Sequence, residues 1–244
     1  MLLRCIFVLC GLVMSPGYAF GDEEREHLKM ASLGDSVTQA VNATSLGSHP
    51  SLSWSTGTDI QSHLKKLEEE GYQVEAVNAA VRGASSLSLL YQIHGLPYVP
   101  DYVTIMVGAN EVCGEGVVDT VGNIRAGVET LKETNPEVQI VLVPIPKLLS
   151  LYEAGINSKS CRFRWWLFNI CPTFLGSHLT DEMRVANQAK VDAINDALVE
   201  VAADLGAKYN RNLGDVNIGP EDISDVDCFH PSITGQQLIS DLTY

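Results

Sequence analysis

Five short apolar runs alternating with helix-like stretches predict an α/β fold. The expected form is a three-layer α/β/α sandwich around a mostly parallel, five-stranded sheet. Two features of the runs carry that expectation. They are continuously apolar rather than alternating, as strands buried on both faces must be. They also recur with a helical stretch between them, which implies right-handed crossovers and helices covering both faces. The chain has 244 residues, 45% hydrophobic and 19% charged, enough for one ordinary core and unlike a disordered chain or a membrane bundle. No Pro/Gly/Ser-rich linker, internal repeat or low-complexity segment divides it.

The predicted strands are Lys29 to Leu33, Val74 to Val77, Tyr102 to Val107, Gln139 to Val143 and a short one around Ala207 to Tyr209. Thr58 to Glu70 reads as a helix that stops at Gly71, a normal C-terminal residue. Val117 to Thr134 reads as a second, ended by Asn135-Pro136, because proline cannot continue the hydrogen-bond ladder. Thr180 to Leu205 is the longest, with Thr180 placed to cap it and Gly206 beyond its end. Thr234 to Leu242 is expected to cover the sheet at the C-terminus.

Residues 1–19 read as a secretory signal peptide followed by a single domain, 20–244. Met1 to Arg4 is a basic start, Cys5 to Met14 an apolar run, and Gly17-Tyr18-Ala19 offers small residues for cleavage. The run is shorter than the roughly 20 residues that span a bilayer. This implies a secreted or periplasmic protein with no integral membrane segment after cleavage. Cleavage removes Cys5, Cys10 and Arg4 and deepens the formal charge from −14 to −15. An acidic surface repels phosphate backbones and anionic membranes, which argues against a nucleic-acid partner but leaves room for an amphiphilic substrate gripped by its apolar tails. Four cysteines remain: Cys113, Cys161, Cys171 and Cys228. In an oxidising compartment they imply two disulfides. The preferred pairing is Cys161–Cys171 with Cys113–Cys228, and the crossed pairings stay open. No Cys pair has CxxC spacing, which argues against a metal site.

In such sheets, sites form at the carboxyl ends of the strands, and three motifs fall there. Leu33-Gly34-Asp35-Ser36-Val37-Thr38 follows the first strand, so Ser36 lies at a strand-to-helix turn. Asn78 to Ser85, including Gly83, follows the second, and Gly108-Ala109-Asn110-Glu111 follows the third. Far along the chain, Asp227-Cys228-Phe229-His230-Pro231 places an acid and an imidazole three residues apart. On one tight turn, Asp227 can accept from Nδ1 of His230 and leave Nε2 to take a proton from Ser36. His49, His63, His94 and His178 lack such partners and read as structural or exposed. Asn42-Ala43-Thr44 forms a glycosylation sequon.

In the order Ser36, Gly83, Asn110, His230, these segments resemble the SGNH or GDSL hydrolase family, from Leu33 to about Gly235. The words Ser51-Leu52-Ser53-Trp54-Ser55-Thr56-Gly57, Gly108-Ala109-Asn110-Glu111-Val112-Cys113 and Asp227-Cys228-Phe229-His230 look most like its phospholipase B-like branch. The resemblance implies hydrolysis of small-molecule or lipid esters through Ser36, His230 and Asp227. An oxyanion hole of Ser36, Gly83 and Asn110 is implied with it. The acyl transfer so implied requires no metal or organic cofactor. Val37 stands where leucine is usual, and Glu111 where aspartate is usual, which touches the bonds that position Asn110. The alternatives are a carbohydrate O-deacetylase and a secreted binding protein that keeps the fold without turnover. Residues 147–179 form an insertion holding Phe163, Trp165, Trp166, Phe168 and Ile170 between Cys161 and Cys171. It reads either as a lid or lipid-facing wall or as a disulfide-pinned loop. Trp54, Trp165 and Trp166 are the candidate substrate contacts, and Trp54 reads equally well as a loop tryptophan packed on the core.

Overall fold

The computed structural model describes residues 26–114 and 118–244; the N-terminal residues read as a signal peptide lie outside them. Five strands form one sheet: β1 (His27–Gly34), β2 (Gln73–Asn78), β3 (Tyr102–Met106), β4 (Gln139–Leu142) and β5 (Lys208–Tyr209). Their order is β2-β1-β3-β4-β5, and every pairing is parallel. Each strand lies within two residues of its expected bounds, because continuous apolar runs have few other places to go.

Alternation along the strands sorts the core into two layers. Ala31, Leu33, Val103, Ile105, Ile140 and Leu142 face one side. There they meet α2 (Leu89–His94), α4 (Thr120–Thr134) and α8 (Asp181–Leu205). Met30, Tyr102, Met106 and Val141 face the other side, against α1 (His63–Glu69) and α10 (Ile233–Thr243). The sheet is therefore sandwiched between helices.

Two helices begin later than their sequence patterns suggest. The first opens at Ser62, whose hydroxyl accepts the Lys65 N–H. Residues 58–61 before it form a largely exposed turn between buried anchors, where Gly57 N–H donates to Ser53 O and Ser62 Oγ donates to Gly57 O at 2.6 Å. The fourth opens at Asp119, which accepts the Gly122 N–H at 2.9 Å. In both, a side-chain cap satisfies orphan N–H groups and sets the boundary.

The insertion folds as three helices, α5 (Leu148–Gly155), α6 (Lys159–Leu167) and α7 (Pro172–Leu175). They close a third apolar cluster with Ile145, Val191 and Ile223. Two disulfides hold it, Cys113–Cys171 and Cys161–Cys228. The pairing preferred from sequence is thus corrected. Cys161 lies on the buried face of α6, turned to the Cys228 loop. Cys171 introduces α7, which packs on α3 (Ala109–Cys113). Helical packing, not proximity in sequence, chose the partners.

Candidate functional site

The strand order reverses direction at β1, whose neighbours are β2 and β3, and a crevice opens beyond the carboxyl ends at such a point. Ser36 follows β1, Gly83 the end of β2, and Asn110 β3; all three line one cleft of about 390 Å³.

Gly34 makes the first corner. Its φ is +146°, and a Cβ there would lie 2.2 Å from the Met106 carbonyl oxygen, so only glycine lets β1 and β3 end this close. Gln92 clamps the same residue by accepting its N–H at 2.8 Å and donating to its C=O at 2.9 Å. Beyond Ser36 the chain makes consecutive turns rather than the regular helix expected. Ala40 and Asn42 adopt left-handed φ values of 47° and 57°, which ends any helical ladder. The helix expected directly after Ser36 is therefore not formed.

Asp227 and His230 sit on one turn, as their spacing suggests. Asp227 Oδ1 accepts the N–H groups of Phe229 and His230 at 2.9 and 3.0 Å. Its Oδ2 lies 2.5 Å from Nδ1 of His230, whose Nε2 lies 2.9 Å from Ser36 Oγ. Cys228 between them takes a left-handed φ of 57°, a strained conformation for a residue with a side chain. Its bridge to Cys161 and the Trp165 Nε1–H donated to its carbonyl at 2.9 Å hold it there. A hydroxyl, imidazole and carboxylate so aligned can move a proton from oxygen to nitrogen while the carboxylate supports the imidazolium.

Asn42 was missed as part of this site, because in the sequence it is only a sequon. Its amide donates to Asp227 Oδ2 at 2.8 Å and its carbonyl accepts from Gly47 N–H at 3.0 Å. It is buried, so the folded chain has no free Asn42 amide to glycosylate. Burial pushes the Asp227 carboxyl up, but hydrogen bonds from His230 and Asn42 outweigh it and hold the group below its ordinary range. Asp35, beside the serine, is moved the other way. Burial raises it to about 6 and Glu111 adds to the rise, against the Val37 N–H bond and the His230 charge.

Gly83 has φ +73° with open space where a Cβ would be, and it lines the cleft. Asn110 donates through Nδ2 to Ala84 O at 2.8 Å, with a longer 3.4 Å contact to Asp35 Oδ2. Glu111 accepts the Ser86 N–H at 2.6 Å, and its other oxygen is buried without a partner among the described residues. The longer acid at this position thus ties the Gly83 loop to α3.

The three tryptophans do not line this cleft, which corrects the expected contacts. Trp54 is fully buried on the α1 side, edge-on to His63 at 5.2 Å, because its loop carries structural bonds such as Ser53 Oγ to Thr38 O at 2.7 Å. Trp165 points inward to Cys228, and Trp166 points outward from α6. Insertion residues Phe168 and Ile170 line the cleft instead, with Leu46, Val226 and Phe229. His63 is structural, bonded to Tyr102 and Thr243. Among the described residues, no cluster of three or more His, Cys, Asp or Glu is placed to hold a metal ion. No helix among them is long and apolar enough to cross a membrane.

Residues 32–238 match the GDSL-like lipase/acylhydrolase family. The chain belongs to that family. As a GDSL hydrolase it is a carboxylic-ester hydrolase, and solved structures share its fold. An extracellular lipase from Streptomyces rimosus superposes with a TM-score of 0.57 at 20% identity, covering 89% of this chain and 100% of that one. An esterase from Pseudoalteromonas sp. gives 0.54 at 19%, covering 87% and 92%. An acetylxylan esterase from Geobacillus stearothermophilus gives 0.54 at 19%, covering 88% and 91%. A search of curated proteins finds no match to this GDSL hydrolase.

Proposed function

We propose that this hydrolase cleaves lipid acyl esters of the phospholipase B or lysophospholipase kind, with Ser36 as nucleophile, His230 as base and Asp227 as its partner. The unbroken relay from Asp227 through His230 to Ser36, at 2.5 and 2.9 Å in an open cleft, carries the reading. Ser36 attacks the ester carbonyl as His230 takes its proton, and the imidazolium then protonates the leaving alcohol. His230 next draws a proton from water, which attacks the acyl-enzyme and frees the acid and Ser36. The N–H groups of Ser36 and Gly83 receive the developing oxyanion, together with the Asn110 amide proton that leaves its long 3.4 Å contact with Asp35. Asn42 orients Asp227 from behind.

Lipid acyl esters are favoured by the cleft wall, where Leu46, Phe168, Ile170, Val226 and Phe229 offer apolar surface. Sugar O-deacetylation is the rival. It draws on the likeness to an acetylxylan esterase, but at that identity the likeness carries the fold alone. A secreted location is part of the proposal, supported by two disulfides, which persist in oxidising compartments.

A fluorophosphonate probe is expected to label Ser36, and a folded protein that resists it is a binding protein. Rates on nitrophenyl esters of rising chain length then decide the substrate. A maximum at acetyl with no activity on lysophospholipid overturns the lipid reading and favours the deacetylase.

A further inference from the structure

We propose that α6 is a membrane-docking element which seats the mouth of the Ser36 cleft on an anionic lipid surface. The inference deepens the lipid-ester reading and rests on it for its purpose, although docking itself needs no catalysis.

The helix is two-faced. Cys161 and Trp165 point inward and are fixed to Cys228 by a disulfide and an indole hydrogen bond. At the opposing helical spacing, Phe163, Trp166 and Leu167 stand 58%, 69% and 50% exposed, with Phe163 and Trp166 rings 6.1 Å apart. Large apolar groups clustered on an exposed face mark an interaction site rather than ordinary surface.

Charge identifies the occupant. Lys159 and Arg162 share this outward face, both exposed. Residues 147–179 hold four of the chain's 16 Lys/Arg and, in Glu153, only one of its 30 Asp/Glu. The stretch is thus a cationic island on a chain that is otherwise strongly anionic. Repulsion of the remainder and attraction of the island turn this face toward a negative surface. Tryptophan and phenylalanine settle at the headgroup boundary, while long basic side chains reach phosphate from the same depth.

The position makes docking productive. Phe168, just beyond the helix and 66% exposed, and Leu46, 85% exposed, both line the Ser36 cleft. The cleft mouth therefore carries exposed apolar groups on two segments, one of them continuous with the docking face. Because Cys161 ties α6 to the Asp227–His230 turn, lipid held by α6 is held at a fixed distance from the nucleophile.

The test uses the full mature chain carrying Ser36→Ala, so that binding is read without turnover. It is sedimented with vesicles of phosphatidylcholine alone or mixed with phosphatidylserine. Binding is expected to the mixed vesicles and to be far weaker to phosphatidylcholine. Lys159→Glu with Arg162→Glu should abolish the preference, each charge counting for on the order of fivefold in affinity. Phe163→Ser with Trp166→Ser should remove binding to both, while an otherwise wild-type enzyme carrying it keeps turnover of a soluble short-chain ester. That turnover reports the esterase reading separately, so the two ideas fail independently. Absence of vesicle binding, or binding indifferent to both pairs of substitutions, overturns the proposal. Concentration-dependent dimers lost in the aromatic variant, without vesicle binding, overturn it in favour of a second copy as the occupant.

Discussion

The wall of the cleft that carries Ser36, Gly83 and Asn110 grows from strand ends, whereas the opposite wall, with His230, Asp227, Phe168 and Ile170, hangs from loops and short helices. The first wall is braced by buried polar side chains: Gln92 on both backbone groups of Gly34, Glu111 on Ser86, Asn110 on Ala84. The second is braced by two disulfides and one indole bond. A sheet edge already fixes its backbone, so single hydrogen bonds suffice to aim side chains there. Loops cannot fix themselves, and a turn that needs a left-handed cysteine must be tied from outside.

The largest expected effect lies where the walls meet. Ser36→Ala or His230→Ala should lower ester turnover by about 10⁴-fold or more with the melting temperature unchanged. A folded Ser36→Ala variant working near the wild-type rate removes the nucleophile assignment. Next comes the loop wall alone. Replacing Cys161 and Cys228 together by alanine opens a 67-residue separation, for which chain entropy predicts a loss of about 4 kcal/mol in denaturant unfolding. Turnover should fall with it, and an unchanged unfolding midpoint would mean that the wall supports itself.

Asn110→Ala tests the sheet wall. Losing one oxyanion donor should cost about 3 kcal/mol in kcat, roughly a hundredfold, with little change in KM. A change in KM alone would make Asn110 a ground-state contact. Asn42→Ala links the walls, since it leaves the buried Asp227 short of one donor. A fall in kcat of about tenfold is expected, equivalent to one hydrogen bond of roughly 1.4 kcal/mol. Rescue by Asn42→Gln but not by Asn42→Asp would separate positioning from charge.

A separate effect, read in stability rather than in turnover, concerns the body beneath both walls. Burial, with Lys66 and Lys208 nearby, lowers His63 to about 3, so the folded state keeps it neutral while the unfolded chain protonates near pH 6.5. Stability should therefore fall as pH drops from about 6.5 towards 3, by up to about 1.4 kcal/mol per pH unit. His63→Gln should remove that contribution, a change read in a series of melts across pH. Asp35, raised to about 6, works in the opposite sense: its contribution is present at low pH and is lost as pH rises from about 4 through 6. Removing His63 should expose it.

Much of the sheet wall was legible in the sequence, and the loop wall was not. Strands such as Tyr102–Met106 announce themselves because burial on both faces leaves no room for polar residues. Ser36, Gly83 and Asn110 follow from where those strands stop, and the three-residue spacing of Asp227 and His230 foretold their contact. The disulfide partners depended on how α6 and α7 rotate, information held in distant packing. Trp54 reads as cleft or core alike, because a loop tryptophan looks the same in either place, and the core reading is the one that holds. Asn42 showed only its sequon, since its partner lies 185 residues away.

The two bridges interleave along the chain, one joining 113 to 171 and the other 161 to 228. Any cut between 161 and 171 separates both partners of both bridges. A protease that clips the exposed residues 166–169 therefore leaves two pieces stitched together twice, with Phe168 and Ile170 still close to the serine. Such a nicked molecule should migrate as one band until a reductant is added, with one edge of its cleft loosened and Ser36 untouched. Digestive damage at the most accessible point of the insertion is thereby converted from scission into a local slackening.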